Sequence, residues 1–289
     1  MPAGAHRFQV GTLRCTVLSD GYGANPAAWY FPNADGAQLA DALERRGAGC
    51  ERIVVPYTCL LIETGREVVL IDAGLGGGSN TAGAILARLE VAGIRPKDVN
   101  TVVFTHAHPD HIGGAVDDRD PLVLRPLFPD ARCVIAEAEW DFWNSPRPDL
   151  RGMRVSDDAK SIIRFVARQC LQALRHQIEL VDDEVEIVPG VRAIPAPGHT
   201  PGHLALLLSS EGQQMLHLGD AAVHPLHLEY PEWQNGFDLE PQRAIATRRS
   251  LLTQAAGGGM HVMAFHFPFP SIGRMAAGMN GGWEWTPGW

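Results

Sequence analysis

VVFTHAHPDH, residues 102–111, joins a β-branched apolar run to four metal-ligating side chains, His106, His108, Asp110 and His111, within six residues. On an extended backbone positions i and i+2 point the same way, so His106 and His108 can converge on one ion. Pro109 favours the first turn of a helix, which would swing Asp110 and His111 to the other side of the same spot. One tight loop thereby offers ligands to two ions, where two histidines and a carboxylate suffice for one catalytic zinc.

Upstream of this loop, EVVLI at 67–71 is a short apolar run that stops at Asp72-Ala-Gly, and 81–91 has helical spacing through Ile85, Leu86 and Leu89. The runs over 8–18 and 53–62 read as successive strands. Downstream, 132–136 predicts a strand and 161–177 an amphipathic helix with Ile162, Phe165, Val166 and Leu174 on its core face. Strands are expected near 184–188, 191–195, 204–209 and 214–218, then a helix over 241–255 and a strand over 261–265. VVLIDAG and MLHLGDA are both apolar strands ending in an aspartate-bearing turn, which suggests two similar halves facing each other. Strands and helices alternating within each half imply a layered α/β arrangement, sheets inside and helices outside. GGGS at 76–79, GGG at 257–259 and the Gly/Trp-rich tail from Gly278 to Trp289 read as loops. None is long enough for an interdomain linker, so a single domain over residues 1–289 is expected.

The bulk composition narrows the function. A chain of 289 residues with 45% apolar side chains can bury a substantial core, and its net charge of −9, without a basic run, gives no footprint for a polyanion. Nucleic acid is therefore not an expected partner. Cys15, Cys50, Cys59, Cys133 and Cys170 are widely spaced and form no CxxC pair, so they are read as reduced thiols, mostly in the core. The first twenty residues do not resemble a secretory signal, and no apolar run approaches the roughly 18 residues of a membrane span. A cytoplasmic protein is the expectation.

The rest of the chain adds ligands. PGHTPGH at 197–203 places His199 in a turn made rigid by glycine and proline, HLGD at 217–220 sets Asp220 just past a strand end, and FHF at 265–267 adds His266. A solvated His-rich loop would account for 106–111 taken alone, but not for these. Neither a GxSxG elbow nor a P-loop lysine motif offers a competing mechanism.

HAHPDH, PGHTPGH, LGD and the late His266, with IDAG at 71–74, together resemble the metallo-β-lactamase-fold hydrolases over about 53–270. The resemblance implies an α/β fold, a four-layer αβ/βα sandwich with two facing mixed β-sheets and the metals at their edge. It implies that His106, His108 and His199 hold a first ion, that Asp110, His111 and His266 hold a second, and that Asp220 bridges them. Two divalent ions about 3.5–4 Å apart can share a water and lower its pKa until it attacks as hydroxide. Asp110 is the candidate catalytic residue, passing a proton to the leaving group. Zinc is the expected metal; manganese, iron and cobalt suit the same ligands.

Asp72 matches the family's IDAG aspartate, which holds the histidine loop through hydrogen bonds. The remaining histidines, His203 among them, are read as structural or surface residues. Phe31, Trp143 and His224 are the candidate pocket residues, since an apolar substrate needs an aromatic rim. Lactonases of the family often carry a tyrosine shortly after the bridging aspartate; Val223 and His224 stand in that region here. His108 and the lack of a flavin domain set the chain apart from diiron-flavin oxidoreductases. The acidic composition sets it apart from RNA-processing members, and the missing C-terminal basic segment from glyoxalase-like thioesterases. HFPFPSIGRM at 266–275 and FDLEPQRAIATR at 237–248 look like the methyl-parathion-hydrolase-like branch, with Asp238 expected to cap the following helix. The implied function is hydrolysis of a lactone, aryl ester or phosphotriester; β-lactam hydrolysis and a non-catalytic binding role are the alternatives. Expected partners are a small-molecule substrate and at most a second copy in a homodimer, with no membrane.

Overall fold

Period-two alternation sorts the apolar side chains of each strand to opposite faces. In the computed structural model, which describes residues 4–49, 51–77, 79–117, 119, 123–278 and 281–289, the first sheet is built from seven strands. They are β1 (Ala5–Val10), β2 (Leu13–Pro26), β3 (Arg52–Glu63), β4 (Val68–Ile71), β5 (Thr101–Val103), and, beyond the short pair β6 (Val116–Asp117) and β7 (Arg125–Pro126), β8 (Arg132–Ala136) and β9 (Ile178–Val181). β1 to β4 pair antiparallel; β4, β5, β8 and β9 pair parallel. The second sheet runs β10 (Val185–Val188), β11 (Val191–Pro195), β12 (Leu204–Ser210), β13 (Gln213–His217), β14 (His261–Met263), β15 (Ile272–Ala277) and β16 (Trp283–Pro287), with β13 and β14 parallel and the rest antiparallel.

Leu60, Ile62, Val69 and Ile71 of the first sheet meet Leu204, Leu206, Leu208 and Met263 of the second in a core between the sheets. Cys59, Leu61 and Leu70 point the other way, toward helices α2 (Gly36–Glu44), α3 (Ile85–Ala92), α5 (Glu137–Asn144) and α6 (Asp157–Leu174). Leu216 and Leu218 face α8 (Pro241–Gly257). This is the expected four-layer αβ/βα sandwich. Three single turns, α1 (Ala27–Tyr30), α4 (Pro109–Ile112) and α7 (Leu226–Glu229), lie in connecting segments.

Three expectations are corrected. The run over 8–18 is a hairpin, broken where Gly11 takes φ +55°. The tail is not a loop throughout: β16 pairs with β15, Trp285 opposite Met275. Finally, α6 begins at Asp157, capped by Ser156 accepting from the Ala159 amide, and its buried stripe is Ile163, Ala167, Cys170, Leu171 and Leu174. Ile162 and Phe165, expected inside, are 59% and 63% exposed. The 163–174 stripe wins because it repeats at three- and four-residue spacing along the whole helix, so burying it leaves its neighbours outside. Cys15, Cys59, Cys133 and Cys170 are buried, and Cys50 lies outside the described residues. Among the described residues no helix is long and apolar enough to cross a membrane.

Candidate metal centre

The strands deliver their polar residues to one place because β4 with β5, and β13 with β14, run parallel and end at the same edge. Past β5 come His106 to His111; past β11, His199; past β13, Asp220; past β14, His266. His108 is extended (φ −65°, ψ 152°) and opens α4 with Pro109 at its first position, so Asp110 and His111 occupy the turn that follows. Glycine is required twice here. Gly219, at φ +52°, lies so near His203 that a Cβ would fall 2.5 Å from its Nε2, and a Cβ on Gly198 (φ +134°) would fall 2.2 Å from the Ala244 amide.

The structure brings all seven expected ligands together. Three groups have donor atoms within 4.8 Å of one another: His106, His108 and His199; Asp110, His111 and His266; and His106 and His111 with Asp220. Asp220 joins them, one oxygen 3.4 Å from His111 Nε2 and the other 3.4 Å from His199 Nε2 and 3.3 Å from His266 Nε2. Nε2 of His106 and of His111 and one oxygen of Asp220 are buried with no hydrogen-bond partner. Buried polar atoms are rarely left so, since each orphan costs about 1–3 kcal/mol. Their convergence, with only imidazole and carboxylate donors, fits two divalent cations. Electrostatics point the same way. Burial, and then the neighbouring imidazoles, hold His106 well below the usual histidine range. Burial also disfavours charge on His111, yet the carboxylates of Asp220, Asp72 and Asp110 more than offset it and raise its pKa well above the ordinary value. His266 is raised by Asp220 and Asp110 against the same burial. The carboxylates thus demand positive charge, which protons on His111 and His266 can provide until a metal displaces them.

A second ring of groups aims the ligands. Asp72 accepts from the Thr105 amide (2.8 Å) and hydroxyl (2.8 Å) and lies 2.7 Å from His111 Nδ1, leaving Nε2 for a cation. Glu139, fully buried and without any motif to mark it in the sequence, accepts from the amides of Ala107 (2.9 Å) and Gly202 (3.1 Å) and from Trp143 Nε1 (2.6 Å), so it ties the 106–111 loop to the PGHTPGH turn. Burial raises its pKa, opposed by these donors. His203 supports the bridging carboxylate, since its Nε2 accepts from the Asp220 amide at 2.9 Å while its Nδ1 donates to the Ala196 carbonyl. Burial holds this ring down to about 3, so it stays neutral and able to accept. Asp238 does not cap α8, whose N-cap is Glu240 without a side-chain bond; its Oδ1 lies 3.0 Å from His199 Nδ1 instead. His266 Nδ1 donates to the Pro56 carbonyl (2.9 Å).

A cleft of about 420 Å³ opens over His108, Asp110, Asp220 and His266. Its other walls include Trp29, Tyr30, Tyr57, Phe237, Ile162 and Val223, with Asp158 among the lining and, among the described residues, no lysine or arginine. None of the expected pocket residues lines it. Trp143 is fully buried beside His108, ring centroids 5.7 Å apart, bonded to Glu139. Phe31 is buried with His227 and Trp233 and packs against the partly buried His224. Aromatic side chains between loop signals are the only cue the sequence offers, and it does not separate a rim from a core. Tyr30 brings a hydroxyl to this lining, which accepts from Asn25 Nδ2 at 2.8 Å.

Fold, edge and donor set define a metallo-hydrolase sandwich, and comparison with known proteins agrees. Residues 52–259 match the model of the metallo-beta-lactamase superfamily, and the chain belongs to that family. It is 33% identical over 166 residues to the uncharacterized protein YobT of Bacillus subtilis, a match spanning 57% of this chain and 62% of that one. It is 26% identical over 212 residues to an N-acyl homoserine lactonase of Bacillus sp, spanning 66% and 73%. Among solved structures, the dizinc quorum-quenching lactonase AidC, determined with the product N-hexanoyl-L-homoserine, superposes with a TM-score of 0.92 at 26% identity, over 99% of this chain and 98% of that one. The hydrolase AbOPH, at 24% identity and TM-score 0.87, covering 99% of this chain and 98% of its own, shares the fold.

Proposed function

We propose that this chain is a binuclear metal-dependent hydrolase of small uncharged substrates, a lactone first, with aryl esters and neutral phosphotriesters as the neighbouring chemistry. One observation carries the reading: seven imidazole and carboxylate donors, all buried except the partly open Asp110, meet at the floor of a cleft whose described lining has no lysine or arginine. The lactonase relatives support the lactone. Two divalent ions, zinc by ligand type, would supply an acidified water and polarise the substrate oxygen.

The chain's own residues do the rest. Asp220 and the five histidines hold the floor. Asp110, whose side chain at 19% exposed is the most open of the seven, faces the cleft and passes a proton to the leaving oxygen. Burial pushes the Tyr30 phenol above its ordinary range, and with Asn25 filling one lone pair its O–H is free to donate to the substrate oxygen. Trp29, Phe237 and Ile162 give an apolar substituent a wall. The described lining offers no lysine or arginine to pair with the carboxylate of a β-lactam or the anion of a phosphodiester, so these are disfavoured. The reading carries with it one catalytic domain over 1–289 and a cytoplasmic location.

The test is a panel of lactones, aryl esters, phosphotriesters and a chromogenic β-lactam, offered to protein holding two zinc ions. Turnover should be fastest on lactones and weakest on the β-lactam. No turnover of any of them retires the hydrolase in favour of a binding role.

A further inference from the structure

Arg248, on the inner side of α8, is among the largest fully buried side chains described. Its Nε donates to the Ala221 carbonyl at 2.6 Å, and its Nη1 to the carbonyls of Pro231 (2.9 Å) and Trp233 (2.6 Å). Nη2 has no hydrogen-bond partner and lies 4.0 Å from Asp238 Oδ2. Asp238, itself fully buried, takes the Asn235 amide on that oxygen (3.2 Å) and presents the other to His199 Nδ1 at 3.0 Å. Burying a guanidinium is costly, and a leucine or methionine would fill a helix–sheet interface without that cost. The charge is therefore explained by what it faces, a buried carboxylate that touches an expected metal ligand.

We propose that Arg248 is a positioning residue for the metal centre. Three carbonyls pin the guanidinium, its charge faces the Asp238 carboxylate across 4.0 Å, and Asp238 fixes the His199 ring with Nε2 on the side of His106 and His108, where the three would share an ion. Arginine suits this because its planar fork spans several acceptors at once, which a lysine ammonium does only in part. The inference rests on the two-ion reading of the site and not on which bond the enzyme cleaves.

The test uses the full chain loaded with zinc and, separately, with cobalt. Chelator competition gives the affinity for each ion, and cobalt absorption reports the ligand field. R248M should weaken the ion at His106, His108 and His199 by about 10–100-fold, and at least ten times more than the other ion, with an altered cobalt spectrum. R248K, which keeps a charge near Asp238, should recover most of the loss. Equal weakening of both ions, with a matching drop in the thermal midpoint of the metal-free protein, would mark a packing defect and overturn the proposal, as would wild-type affinity in R248M. Where R248M does not fold, R248K, D238N and their double variant decide: non-additive losses support the relay, additive ones overturn it. Two tightly bound ions without turnover of any substrate would refute the hydrolase reading while leaving this one standing.

Discussion

The 106–111 loop and the three turns of the second half supply the same kind of ligand in opposite ways. The loop packs four donors into six residues, and two carboxylates hold it, Asp72 through Thr105 and His111 and Glu139 through the Ala107 amide. His199, Asp220 and His266 come from three separate turns, and each has its own support: Asp238 behind His199, His203 behind Asp220, the Pro56 carbonyl behind His266. A compact loop inherits its geometry from a single strand, whereas scattered ligands need one fixed partner apiece. Asp220 is the point where the two arrangements meet, within 3.4 Å of His111 on one side and of His199 on the other.

That contrast can be broken at its joint. Asp220→Asn should depress turnover by at least about 10³-fold and disturb both ions, as loss of a shared ligand in a two-ion site requires; steady-state rates and metal analysis check it, and unchanged values contradict the joint. Asp72→Ala should weaken metal binding by about 10–100-fold, chiefly at the ion held by His111, which chelator competition resolves. Loss confined to the His199 ion would invert the contrast. Tyr30→Phe leaves the ligands intact, so metal content should stay at the wild-type level while kcat falls about 10²-fold, the cost of one donor to a developing oxyanion.

The raised pKa values of His111 and His266 predict a pH effect with a definite sign. In metal-free protein their protons stabilise the fold at pH below the ordinary histidine value of about 6.5, and that contribution is lost as pH rises through the folded values. Metal must displace the same protons, so its affinity grows over the same range. The gap in thermal midpoint between zinc-loaded and chelated protein should therefore widen from pH 6 to pH 8. A gap that narrows would contradict the assignment of charge. The smallest effect is at the mouth: Ile162→Ser and Phe165→Ser should each change stability by no more than about 0.5 kcal/mol, as exposed residues do. Only Ile162→Ser should raise KM for apolar substrates, since Ile162 alone of the two lines the cleft.

The same contrast explains what was legible in the sequence. HAHPDH announces itself because its ligands are adjacent, and His199, Asp220 and His266 were recoverable because each follows an apolar strand in a recognisable turn. Periodicity marked most of the strands and the helices α3, α6 and α8 and put the sheets inside, but it marked neither β9, β15 and β16 nor the helices α2 and α5, and the four-layer sandwich came from the resemblance. What stayed hidden were residues whose role depends on a distant partner. Glu139 sits in an ordinary acidic stretch, EAEWD, and only folding places it between Ala107 and Gly202. Asp20 looks like a turn residue, yet it accepts the amides of Leu75, Gly83 and Ile85 and pins the segment that follows IDAG. The cleft wall was misread for a related reason: Ile162 has the composition of core, and its neighbour Ile163 takes that place because the buried stripe runs through it.

Titration of metal-free protein with zinc, followed calorimetrically and by elemental analysis, is the most direct measurement. It should saturate at two ions per chain, with protons released, and one ion should vanish in His199→Ala and the other in His266→Ala. Saturation at one ion or none, or two ions that survive both substitutions, would contradict the convergence of the two halves on a paired-cation site.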